Sequence, residues 1–155
     1  METVEETPTA RSDYALVSLS YLALLGGIAE SSRRRGDALV SLEAGELVPL
    51  SLAAFALSKM IVHEKVESWI RAPFVDEQAG GEKRPKGRRL RFAVGELFTC
   101  TRCMGAWAAL GLMGVRTVAP PQARLLTSVL AVSAGSDFLH SAFTLICRRG
   151  EAIGG

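Results

Sequence analysis

The sequence predicts an all-α fold: a polytopic membrane helical bundle of about four transmembrane helices, or three if the N-terminal segment does not span. Three observations carry that expectation. Of the 155 residues, 48% are hydrophobic but only 6% aromatic, so the apolar load lies in blocks of Leu, Ala and Val. Four such blocks follow one another with too few polar residues to clothe their outer faces in water. Between the second and third lies a run of Lys and Arg of the kind that fixes orientation in a membrane.

The blocks can be taken in order. Residues 14–29 are uncharged, and Ser12 or Asp13 is placed to cap the start. Residues 47–62 are apolar apart from Lys59, with Pro49 tolerable in a first helical turn. Residues 97–118 carry Arg102 and Arg116 near their two ends, where both can snorkel. The uncharged centre of that block, 103–115, falls in the range of about 10–14 residues where a buried helix of a soluble bundle is the rival reading. Residues 125–147 are the clearest span, with Asp137 as their only formal charge, and Pro120-Pro121 breaks the chain before them.

The whole of 1–155 reads as a single integral-membrane domain with a basic loop at about 63–96. Residues 1–13 hold four acidic groups and one Arg, unlike the basic start of a secretory signal, so the first apolar block is expected to be retained. Lys65, Arg71, Lys83, Arg84, Lys86, Arg88, Arg89, Arg91 and Arg102 place the loop, and with it Cys100 and Cys103, on the cytoplasmic side of the cell membrane. Arg33, Arg34 and Arg35 dissent, because four spans with both termini inside leave them outside. Within the loop, 63–74 reads as an interfacial continuation of the second helix, with Val66, Trp69, Ile70 and Phe74 on its apolar side. Residues 76–89 read as a solvated loop whose cations can meet anionic lipid. The net charge of +2 gives no reason to expect nucleic acid.

The residues also resemble a known family. Ser58-Lys59-Met60-Ile61-Val62, then Lys65-Val66, Ile70-Arg71-Ala72-Pro73-Phe74 and Val94-Gly95-Glu96-Leu97, lead to Cys100, Cys103, Gly105 and Trp107, and later to Ala134-Gly135-Ser136-Asp137-Phe138-Leu139. This order is similar to the bacterial family catalogued as domain of unknown function 1360. The resemblance implies a small multi-helix membrane protein with no established activity. The family pattern has Pro after its first Cys, where this chain has Thr101.

The candidate chemistry lies in two places. On a helix, Cys100, Cys103 and Trp107 share one side, and Gly111 and Gly114 extend it with small residues that permit close helix contact, as does Gly105. Three readings of the thiols stand open. They pack against another helix; they form a redox dithiol activated by the helix N-terminus and Arg102; or, with His63 and His140, they form a Cys₂His₂ set of the kind that takes zinc. The second place is Asp137. An ionisable residue inside a span needs a partner, and Lys59 is the natural one, with Ser136 or His140 completing a polar clasp. No serine-histidine-aspartate set, paired-carboxylate motif or phosphate loop is present in the sequence, so the chain reads as a non-enzymatic scaffold or interaction protein. The alternatives are a membrane dithiol or metal protein and an oligomeric channel or transporter component centred on Asp137. The expected partners are the bilayer, a second copy of the chain or another membrane protein, and no cofactor beyond zinc is suggested.

Overall fold

Small side chains decide how the central helices meet. Ala53, Ala54 and Ala56 of α2 (Ala44–His63) face Ala108 and Leu112 of α5 (Thr101–Val118) and Leu130 and Ala134 of α6 (Pro120–Gly154), forming the buried core. Alanine at these contacts lets backbones approach closely, which is how helices associate where lipid removes the hydrophobic drive. α1 (Arg11–Arg34) lies to one side, against α5 and α4 (Leu90–Thr99). This computed structural model describes residues 9–36, 43–78 and 82–154.

The all-α expectation holds, with one small β element. α1, α2 and the Pro120–Gly150 stretch of α6 are each long and apolar enough to cross a membrane. α5, the remaining expected span, is 18 residues long with Arg102 and Arg116 near its ends, and it does not stand with these three. Several boundaries move. The block 97–118 is not one helix: Cys100 is extended (φ −109°, ψ 104°), ending α4 and starting α5. α1 begins at Arg11, so Asp13 lies inside its first turn and takes the Ala10 N–H at 3.0 Å. α2 begins at Ala44, so Pro49 sits beyond the first turn and withholds one helical hydrogen bond. α5 stops at Val118, and Pro120 opens α6, where its missing N–H costs nothing.

The basic loop is where structure and expectation part most. Residues 63–74 do not continue α2, because Glu64 is extended (ψ 144°) and only the short α3 (Ser68–Arg71) follows. Phe74 leaves the expected apolar side and stacks on Phe98 of α4 at 5.5 Å. The segment 76–89, expected to be solvated, contributes to an antiparallel hairpin of β1 (Val75–Glu77) and β2 (Lys83–Pro85), with Val75 opposite Pro85 and Glu77 opposite Lys83.

The physical cause lies at the end of α2. A helix leaves its last carbonyls without partners, and the loop supplies cationic donors to them. Arg71, 1% exposed, gives Nη1 to the carbonyls of Ile61 (2.6 Å) and Glu64 (2.9 Å) and Nη2 to Glu77 (2.5 Å). Lys83 donates to the Val62 carbonyl. Lys86 reaches Asp76 at 2.7 Å, and Arg91 reaches the Pro73 carbonyl at 2.6 Å. The chain then turns into α4 through Gly87 (φ 82°) and Arg89 (φ 56°), both in the left-handed region. The product is a folded cap closing one end of the bundle.

Candidate functional site

α1 stands off from α4 and α5 far enough to leave an open cleft of about 830 Å³ between them. Tyr14 and Tyr21 line it from α1, seven residues apart and so on one helical side. Glu96 contributes from α4, Cys103 and Trp107 from α5, and Cys100 from the break between those helices. At one end the Tyr14 hydroxyl donates to Glu96 at 2.5 Å. Farther along, Tyr21 meets Trp107 edge to face at 5.3 Å and 79°. That contact helps hold α1 to α5 by aromatic geometry.

The break at Cys100 gives the thiols their geometry. As the residue preceding α5, Cys100 presents Sγ to the Cys103 N–H at 3.3 Å, so sulfur takes the place of the usual capping oxygen. Burial works to raise the Cys100 pKa, but the hydrogen bonds from the Cys103 side chain and backbone outweigh it and the value is lowered. Both thiols are free, Cys100 half-buried and Cys103 exposed, as is Cys147 on α6.

The expected four-ligand set is not assembled. His63 Nε2 lies 2.9 Å from the Thr101 hydroxyl, and His140 is exposed on α6. Among the described residues, no three His, Cys, Asp or Glu side chains form a group that could hold a metal ion. Thr101 thus supplies a hydroxyl that ties the end of α2 to the start of α5. The expected small-residue stripe also divides. Gly105 takes Ser58 of α2 at 3.9 Å and Gly114 takes Ile28 of α1 at 3.4 Å, measured from an added Cβ, whereas a Cβ on Gly111 meets nothing within 4 Å.

Lys59 and Asp137 do come together, Nζ to Oδ2 at 2.8 Å, beside Phe55 stacked on Phe138 at 5.5 Å. Ser136 and His140 are exposed on α6, and it is Ser141 that bonds nearby, donating to the Asp137 backbone carbonyl at 2.8 Å.

A second, polar cleft of about 620 Å³ opens under the cap, lined by His63, Lys65, Arg71 and Lys83 with Glu77 and Thr99. The hydrogen bond from Arg71 holds the Glu77 carboxyl below its usual range, and its charge with that of Lys83 adds to this. Burial, with Arg71 close by, lowers the Lys83 ammonium in turn.

Sequence reasoning missed Tyr14, Tyr21 and Glu96 as cleft residues and Arg71 and Glu77 as the centre of the cap. The signals available were the two tyrosines seven apart in a Leu-rich helix and the lone Glu four residues before Cys100.

A family model described as "Protein of unknown function (DUF1360)" matches residues 49–143. Over 95 residues the chain is 33% identical to the "Sporulation protein YjcA" of Bacillus subtilis (strain 168), covering 56% of this chain and 80% of that protein. No solved structure matches. The matched residues run from α2 into α6 and so include the cap, both cleft thiols, Lys59 and Asp137, while α1 lies outside them. The chain belongs to the DUF1360 family.

Proposed function

We propose that this chain is a multi-pass membrane protein whose folded basic cap lies at the cytoplasmic face and works as a non-enzymatic docking platform in a membrane assembly. The observation that carries this reading is the cap itself. Arg71 and Lys83 close the end of α2, and a hairpin and α4 pack over them, which a bare topology signal would not require. The surface around it suits lipid: Leu19 and Leu22 of α1 and Leu139 and Phe143 of α6 are each more than half exposed. The three dissenting arginines are engaged at the opposite end, Arg33 and Arg34 with Glu30 at 3.9 and 2.7 Å and Arg35 with the Thr117 carbonyl. Similarity to a protein named for sporulation supports an assembly of that process.

Cysteine labelling tests the orientation in a chain whose three native cysteines are Ser. Arg88→Cys should react with an impermeant maleimide only after cells are opened, and Arg124→Cys should react in intact cells. A photo-crosslinker at Arg84, on the hairpin, should then yield a discrete protein adduct in native membranes that disappears in the Arg71→Ala protein. Labelling of Arg88→Cys in intact cells, or no adduct, would sink the proposal.

The cleft favours a second reading, a dithiol exchanging with a substrate disulfide. The Cys100 thiolate attacks one substrate sulfur and expels the other as a thiol. Cys103 then resolves the mixed disulfide, leaving a protein disulfide and a substrate dithiol. This reading is supported by the Cys100 cap geometry and by the cleft beside it. Thiol titration before and after mild disulfide treatment checks it: loss of two thiols, abolished in Cys100→Ser, is the expected result.

A further inference from the structure

We infer that α6 carries a homodimer interface, a polar stripe that pairs with the same stripe on a second copy of this chain. The inference rests on the membrane reading above. Along α6, Ser133, Ser136, Asp137, His140, Ser141 and Thr144 recur at spacings of three and four, which places them on one helical side. Asp137 lies near the middle of the apolar Pro120–Gly150 stretch. Within one copy, the described residues leave this side uncovered. Ser133, Ser136, His140 and Ser141 are exposed, and even the Lys59–Asp137 pair keeps 35% and 47% of its side-chain surface.

Lipid offers neither donors nor acceptors, so a carboxylate, an ammonium and an imidazole facing acyl chains are costly and require cover. The neighbouring side of the same helix shows the contrast, because Val132, Leu139 and Phe143 there are exposed and wholly apolar. α6 therefore presents three sides: small residues toward α2 and α5, apolar residues toward lipid, and polar residues toward something else.

The chemistry of the stripe selects a second copy. It holds donors (the Ser133 and Ser136 hydroxyls and His140, with Lys59 beside it on α2) and an acceptor (Asp137) within about two helical turns, so it is complementary to itself. A two-fold axis along the membrane normal keeps both copies in one orientation and brings each residue to its counterpart's level. Asp137 of one copy then meets Ser133, Ser136 and His140 of the other, and hydroxyl and imidazole bonds across the helices complete the pairing.

The test uses the full chain with Cys100, Cys103 and Cys147 replaced by Ser, in carbonate-washed native membranes. Ser133→Cys lies on the stripe, and Val132→Cys lies at the same depth on the lipid side. Under copper-phenanthroline oxidation, Ser133→Cys should give a disulfide dimer of twice the chain mass, at least ten-fold more than Val132→Cys. Thr144→Cys reads the same stripe independently, should Ser133→Cys disturb folding. Protein that stays in the washed membrane yet gives no dimer from either stripe position, equal dimer from Val132→Cys, or a cross-link to a different protein overturns the inference. Protein that leaves the membrane on washing overturns the membrane reading, and the inference falls with it.

Discussion

The Phe74 carbonyl oxygen stands 2.6 Å from where a Cβ would sit on Gly95, and Pro85 of the hairpin lies 2.9 Å from the same point. Only a residue without a side chain lets α4 lie this close to the cap. Gly95 is thus the contact point of two stretches that carry the family resemblance, one ending at Phe74 and one running from Val94 to Leu97. Gly95→Ala should push α4 off the hairpin and destabilise the fold by about 1–3 kcal/mol, the usual cost of overfilling a packed contact. Thermal unfolding in detergent measures it. Gly111→Ala is the control, since a Cβ there meets nothing within 4 Å. Removing a mid-helix glycine should make that variant as stable as the native chain or more so, by up to about 1 kcal/mol.

The Arg71–Glu77 contact makes the cap sensitive to acid. Arg71 depresses the folded pKa of Glu77 below its ordinary value of 4.5. A depressed carboxyl contributes stability that is fully present above its unfolded pKa and lost as pH falls through its folded pKa. The cap should therefore hold at neutral pH and loosen below about pH 4. Hydrogen exchange of the Val75, Asp76, Glu77, Lys83 and Arg84 amides, compared at pH 6 and pH 3.5 after correction for intrinsic rates, reads this directly. Glu77→Gln should exchange faster at pH 6 and lose most of the pH dependence. Arg71→Ala should open the cap at every pH, because it strands two carbonyls and a carboxylate together, at a cost of about 3 kcal/mol.

How much of this was legible follows from the range of each interaction. The long apolar helices showed in composition because each needs only its own residues. The Lys59–Asp137 contact was expected because each is a lone charge in an apolar block, and two such charges have few other partners. The hairpin left no comparable trace. Its strands are three residues each, and Lys83-Arg84-Pro85 has no strand propensity; they form because Arg71 and Lys83 find carbonyls at the end of α2. The cleft was hidden for a related reason, since Tyr14 and Glu96 lie 82 positions apart. The broken third block hid behind continuous hydropathy, because Cys100 and Thr101 are no more polar than many helical residues.

The ion pair in the helical bundle should show coupling rather than simple addition. Lys59→Leu leaves the Asp137 carboxylate without its ammonium, and Asp137→Leu leaves the reverse. The double variant removes both charges and fills the space with apolar atoms. Each single variant should therefore be less stable than the double, with an interaction energy of about 1 kcal/mol or more. Unfolding of the reconstituted protein across the four-member cycle measures it. Additive effects would show that the 2.8 Å contact contributes nothing of its own.

Trp69 and Val66 project from the cap with 73% and 80% of their surface exposed, beside the end of α2. If α2 spans as proposed, an exposed indole at its end belongs at headgroup depth, where its ring meets acyl carbon and its N–H stays hydrated. The chain has two tryptophans, so Trp107→Phe leaves Trp69 as the single reporter. In vesicles, its emission should be shifted to the blue of a water-exposed indole. Lipids brominated high on the acyl chain should quench it more strongly than iodide added to the solution. The reverse order of quenching would place α3 in water, away from the bilayer.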